Sequence, residues 1–157
     1  MLAEKNGLQR SVALSDEFLG ELAEALHHAH GHGIVHRDVK PANVILVEND
    51  TVKLVDFGVA GALERADGQG VRGKLGYMSP EQAHGGKLDR RTDLWSLGVM
   101  LYEMVSGRRP FRGDYDQAVI YSILNDRPAD LASPPFSSPI GAAKVVSRAL
   151  ERRLEMR

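Results

Sequence analysis

Val12, Phe18, Leu22, Leu26 and Ala29 mark one face of the first long segment at helical spacing, with polar residues between them, so this stretch is predicted to be an amphipathic helix. Ser11 or Ser15 supplies an N-cap, and Gly31 or Gly33 the stop. Beyond it the period changes. Ile34-Val35, Val44–Val47 and Thr51–Val55 are short apolar runs, and Glu48-Asn49-Asp50 between the last two is a turn-forming trio that predicts a β-hairpin. From Thr92 or Asp93 to Tyr102 the chain is apolar on nearly every side and is stopped by Gly107. A helix without a polar face is a buried helix. Two further helices are expected, around Asp116–Asn125 and from Pro139 to Arg152, the latter opened by Pro139 after a Ser138 cap and preceded by a Pro/Ser-rich linker. Residues 59–78 carry Gly and charge without period, and a short helical stretch at residues 1–5 is stopped by Asn6-Gly7.

The chain has 157 residues, enough for one core that buries roughly 68–70% of the unfolded surface. With 20 basic and 21 acidic residues and a formal net charge of -1, nothing in the balance calls for nucleic acid or an anionic membrane as partner. There is no cysteine, which excludes disulfides, thiolate chemistry and thiolate-ligated metal and is in keeping with a cytoplasmic protein. The longest apolar stretch, Leu94–Val105, is broken by Ser96 and Glu103 and falls short of the ~20 residues of a spanning helix, so a soluble chain with no membrane segment is expected. His27, His28, His30, His32 and His36 raise a metal reading, and His28 and His32 share an i,i+4 face. Three or four convergent ligands are needed, and the reading is set aside. Trp95 and Tyr102 read as core aromatics. Arg108-Arg109 reads as a solvated helix end, with recognition of acidic or peptide partners as its alternative.

The chemistry concentrates in His36-Arg37-Asp38-Val39-Lys40-Pro41-Ala42-Asn43, which gathers an acid, two cations and an amide between two apolar runs. Pro41 cannot sit in a central strand and biases Lys40 away from helix, so this is a connection of fixed shape. The segment matches the pattern H-R-D-x-K-x-x-N. Asp56-Phe57-Gly58 follows 13 residues after Asn43, across the predicted hairpin, and then come Gly76-Tyr77-Met78-Ser79-Pro80-Glu81, Asp93-Leu94-Trp95-Ser96-Leu97-Gly98 and a final Arg157.

In these five places and in this order the chain resembles the protein kinase family. The K-P-A-N, Y-M-S-P-E-Q and S-G-R-R-P-F runs resemble bacterial serine/threonine kinases of the eukaryotic type, and Lys40 favours Ser/Thr over Tyr as acceptor. The resemblance implies a mainly α fold with a small β-hairpin, the large C-terminal lobe of a kinase without its β-rich N-terminal lobe, so that residues 1–157 form a partial kinase domain. It implies transfer of the ATP γ-phosphoryl group to a protein Ser or Thr hydroxyl. Asp38 would take the hydroxyl proton, Lys40 would meet the γ-phosphate, and Asn43 with Asp56 would hold Mg²⁺. By the same resemblance His36 packs within the loop and Arg37 pairs with a phosphorylated residue in other members. Phe57 and Gly58 complete D-F-G, Glu81 pairs with Arg157, and Asp93 bonds the catalytic loop from below.

Several features depart from the family pattern. The 35 residues before His36 hold no Gly-rich loop, no V-A-I-K lysine and no helix-borne Glu. The expectation is therefore a chain cut at both ends, inactive by itself, on which the missing lobe would pack near Ile34, Ile45 and Phe57. The alternative is a non-catalytic, kinase-like binding or scaffold module. A small-molecule phosphotransferase is disfavoured by Arg37 and by the S-P-E and D-x-W-S-L-G segments. Gly68–Gly73 satisfies G-x-G-x-x-G but follows D-F-G instead of a strand, and reads as a flexible loop. Val59–Met78 contains no Ser or Thr, so Arg37 is expected to meet Glu64, Asp67 or nothing, without a switch by loop phosphorylation. Lys74 stands where most Ser/Thr kinases carry Thr.

Overall fold

The structure is a computed structural model that describes residues 16–47, 51–57, 74–133 and 140–157. The segment at 1–15 with its candidate caps, the turn trio 48–50, the stretch 58–73 with Gly58, Glu64 and Asp67, and the Ser138-Pro139 start all lie outside them.

Helix α1, Asp16–Gly31, buries Phe18, Leu22, Leu26 and Ala29, the face that the spacing marked. Gly33 ends it in a left-handed conformation, φ 73, which returns the N–H of Gly33 to the carbonyl of His30 and that of Ile34 to the carbonyl of Ala29. That pairing satisfies carbonyls a helix end leaves open, and an L side chain at residue 33 would strain it.

A 3₁₀ turn, Pro41–Asn43, leads into β1, Val44–Leu46, which pairs antiparallel with β2, Val52–Leu54, with Val44 opposite Leu54 and Leu46 opposite Val52. Val44, Val52 and Leu54 are buried with Phe18, Leu22 and Leu26 of α1, while Ile45 and Lys53 face outward. Period-2 alternation thus selects the face that meets α1. The backbone N–H of Val52 also donates to the Glu21 carboxylate at 2.5 Å, fixing the hairpin against the helix.

After a short helix α2, Pro80–Ala83, comes α3, Arg90–Ser106, ended by Gly107 at φ 71. It runs between two clusters. Met100 packs with α1 and the hairpin, whereas Trp95, Val99, Leu101 and Tyr102 join Phe111, Ile123, Leu131, Val146 and Leu150. Being covered on both sides is why no face of α3 is polar. Its start differs from the expected Thr92 or Asp93: Asp89 is the N-cap, accepting the N–H of Arg91 at 2.8 Å, and the Arg91 guanidinium beside it pulls its carboxyl down to about 2. Thr92 and Asp93 are already inside the first turn, with their side chains turned to other partners.

Helices α4, Asp116–Asn125, and α5, Ile140–Ala149, close the second cluster. Helix α5 stops three residues before the expected Arg152. The chain turns there, and the Arg152 guanidinium donates to the carbonyls of Ser122, Ile123 and Asp126, capping the C-terminal end of α4. Burial holds that guanidinium below its ordinary basicity. A 3₁₀ turn, Leu154–Met156, then carries Arg157 back beneath α3.

Candidate functional site

The site is built on a buried acid. Asp93, fully buried in the first turn of α3, accepts the backbone N–H of Arg37 at 2.7 Å with Oδ1 and that of His36 at 2.8 Å with Oδ2, and His30 Nε2 lies 2.8 Å from the same Oδ2. These bonds hold a backbone that would not otherwise stay in place. Arg37 sits at φ 67, in the left-handed region, as does Asp56 at φ 61. Non-glycine residues persist there only where their surroundings over-determine them.

His36 ties the loop to the end of β2. Its Nδ1 accepts the N–H of Asp38 at 3.2 Å, which fixes the proton on Nε2, and Nε2–H donates to the carbonyl of Val55 at 2.8 Å. Its ring lies 4.6 Å from that of Phe57. Asn43 makes a second tie: its carbonyl accepts the N–H of Val55 at 2.9 Å, while its Nδ2 donates to the Asp38 carbonyl at 2.8 Å and to Asp38 Oδ2 at 3.2 Å. Both ties end on Val55, so Asp56 leaves the hairpin beside the loop.

The Asp38 carboxylate is flanked by cations. Lys40 Nζ donates to Oδ2 at 2.7 Å, and Lys74 Nζ lies 3.9 Å from Oδ1. A small recess here is lined by Arg37, Asp38, Lys74, Tyr77, Gln82 and Ser96. Asn43 Oδ1 and the Asp56 carboxylate have no hydrogen-bond partner among the described residues, and the Arg37 guanidinium has no ion-pair partner among them. Glu64 and Asp67 lie outside the described residues.

Segment 74–82 is seated on α3 from below. The Ser96 hydroxyl donates to the Tyr77 carbonyl at 2.8 Å, and the Tyr77 hydroxyl donates to the Glu103 carboxylate. Burial, and then that carboxylate, push the Tyr77 phenol well above its ordinary value. Arg157 donates to Glu81 through Nη1 at 2.7 Å and Nη2 at 3.3 Å, and the Thr92 hydroxyl donates to Glu81 at 2.9 Å. Burial acts to raise the Glu81 carboxyl, but the Arg157 guanidinium, the backbone and Thr92 outweigh it and hold the group below the usual range.

Ser79 caps α2 in a reciprocal box: its Oγ accepts the N–H of Gln82 at 3.3 Å, and Gln82 Oε1 accepts the N–H of Ser79 at 3.0 Å. Ser79-Pro80-Glu81-Gln82 carries the S-x-x-Q signature of this box, so it was there to be found. His30, Thr92 and Glu103 gave no such signal, since their partners lie 63, 11 and 26 residues away.

A family model described as protein kinase domain matches residues 2–153. The chain is 43% identical over 145 residues to a probable serine/threonine-protein kinase PknB of Bifidobacterium longum, covering 89% of this chain and 20% of that protein. It is 44% identical over 117 residues to the serine/threonine-protein kinase PknB of Mycolicibacterium smegmatis, covering 71% and 19%. It is also 40% identical over 139 residues to the DNA damage-responsive serine/threonine-protein kinase RqkA of Deinococcus radiodurans, covering 86% and 21%. The chain spans about a fifth of the length of these curated relatives.

Proposed function

This chain belongs to the protein kinase family, and on that footing we propose that the protein carrying it transfers the γ-phosphoryl group of ATP to a Ser or Thr hydroxyl of a protein substrate. The observation that carries the reading is the setting of Asp38, a carboxylate held between Lys40, Lys74 and the Asn43 amide. Asp38 accepts the proton of the acceptor hydroxyl as its oxygen bonds to phosphorus and the bond to the bridging oxygen of ADP breaks. Lys40 leaves its resting pairing with Asp38 to offset charge on the transferred group.

The donor set suits Mg²⁺. Asn43 spends both of its resting bonds through Nδ2, which leaves Oδ1 as a hard oxygen donor, and Asp56 offers a solvent-exposed carboxylate. Asn43 and Asp56 would hold the ion, which would supply neutralisation of phosphate charge. In this reading His36, Asp93 and Phe57 position the loop, Lys74 steadies Asp38, and Glu81 with Arg157 seats segment 74–82, while Gly58 and the segment expected to face Arg37 lie outside the described residues. Ile34 and Ile45, 49% and 44% exposed, are where a nucleotide-binding lobe packs. The 157-residue chain is silent without that lobe. Among the described residues no helix is long and apolar enough to cross a membrane, and we place the chemistry in the cytoplasm, with ATP.

The test is phosphate transfer from labelled Mg-ATP to a generic Ser/Thr substrate, by the full-length protein and by this chain, each against Asp38→Asn. The full-length protein should lose about 10²- to 10⁴-fold on substitution, the worth of a positioned base. Equal rates for the full-length wild type and its Asp38→Asn form would overturn the reading in favour of a non-catalytic scaffold, whereas the chain alone is expected to show no difference.

A further inference from the structure

The side-chain amide of Gln82 stands between two segments that the proposed chemistry needs in register. Its Oε1 accepts the N–H of Ser79 at 3.0 Å, closing the capping box of α2. Its Nε2 turns away from the helix and donates to the backbone carbonyl of Arg37 at 2.8 Å, 45 residues earlier in the chain. The two bonds demand opposite chemistry from one side-chain end. An N–H partner needs the oxygen and a carbonyl partner needs the nitrogen, so the orientation of the amide is set by its neighbours. Glu would serve the cap and fail the loop.

The receiving carbonyl belongs to Arg37, whose φ of 67 has to be held by its surroundings. Asp93 secures the N–H of that residue and Gln82 its C=O. The Arg37 carbonyl lies in the same peptide plane as the N–H of Asp38, the group that meets His36 Nδ1 at 3.2 Å. Pinning the carbonyl therefore fixes the plane from which the Asp38 side chain departs. We propose that Gln82 is a positioning residue for Asp38, transmitting the seating of segment 74–82 to the strained peptide of the catalytic loop. The proposal rests on the phosphotransfer reading. It gives that segment two routes to Asp38, the Lys74 ammonium directly and Gln82 through the backbone.

Gln82→Glu separates the two bonds, because it keeps the acceptor for Ser79 and sets a carboxylate against the Arg37 carbonyl. In the full-length protein the thermal midpoint should fall less than in Gln82→Ala, since the cap survives. The single-turnover transfer rate at saturating Mg-ATP and peptide should fall roughly three- to tenfold, the worth of one neutral hydrogen bond, with both dissociation constants unchanged. Gln82→Ala should lose thermal midpoint and rate together. Amide hydrogen exchange over residues 36–43 should quicken in Gln82→Glu, a readout that needs no activity. A wild-type rate with wild-type exchange in Gln82→Glu overturns the proposal, as does a midpoint in Gln82→Glu as low as that of Gln82→Ala. If wild type and Asp38→Asn prove equally silent, the phosphotransfer reading fails, and exchange alone decides whether Gln82 holds the loop.

Discussion

Replacing Arg157 by Ala tests how segment 74–82 is held. The guanidinium is fully enclosed, and its partner Glu81 has a side chain only 8% exposed. Arg157 reaches Glu81 through two nitrogens, donates to the carbonyls of Arg91 and Glu151 at 3.0 Å each, and lies 5.0 Å over the Trp95 ring. Truncation leaves a buried carboxylate with the Thr92 hydroxyl as its main remaining partner, and takes the Arg157 donor from the Glu151 carbonyl. Breaking one side of a buried pair costs about 3–5 kcal/mol, and we expect about 4 kcal/mol in urea unfolding followed by circular dichroism, with unchanged m. Against a total of about 5–15 kcal/mol that is a large fraction. Lys at 157 keeps the charge but loses the two-pronged geometry, and should cost about half as much. Because the Glu81 carboxyl is lowered in the folded protein, its contribution is fully present above the unfolded value near pH 4.5 and is lost as pH falls through the lower folded one. The wild-type advantage over Arg157→Ala should therefore narrow below about pH 4.5. A cost under about 1 kcal/mol, or an Ala variant as stable as the Lys one, would refute the argument that this pair anchors the segment.

Asp93→Asn places an amide nitrogen against one of two backbone donors and should cost about 3 kcal/mol in the same urea assay, with a loss of transfer rate that Asp38→Asn no longer shows. Gly98→Ala should destabilise by about 1–3 kcal/mol by thermal unfolding, because its Cβ would lie 2.6 Å from the Ala149 Cβ. Helix propensity alone predicts the opposite, a gain of about 1 kcal/mol, so the sign decides between close packing and propensity. Tyr77→Phe should remove a late step from the spectrophotometric titration of the tyrosines, since burial and Glu103 raise this phenol; the stability tied to its proton is present below about pH 10 and is lost as pH rises toward the folded value.

Spacing carried the fold because burial is periodic. Phe18, Leu22, Leu26 and Ala29 all face the core, the hairpin alternates as its apolar runs require, and the all-round apolar segment before Gly107 is the helix with a cluster on each side. Helix ends were less legible. Thr92 and Asp93 looked like caps because Ser, Thr, Asp and Asn are what caps are made of, yet Asp89 took that place and left both free for Glu81 and the loop. The end of α5 was misread for a similar reason: nothing local to Arg152 reveals that its guanidinium closes α4 some 29 residues away.

The loop around Asp38 was legible through its order of residue types, but its restraints were not. Period and propensity report which face a residue occupies, while the hold on Arg37 comes from Asp93 and Gln82, which are 56 and 45 residues distant. One part of that hold is still written locally. A capping box asks only for an acceptor at its third position, which Glu supplies with a charge suited to a helix N-terminus. Gln at 82 gives up that charge and gains a donor, and the structure spends the donor on the Arg37 carbonyl. The choice of amide over acid in S-P-E-Q is thus better accounted for by the loop than by the helix that contains it.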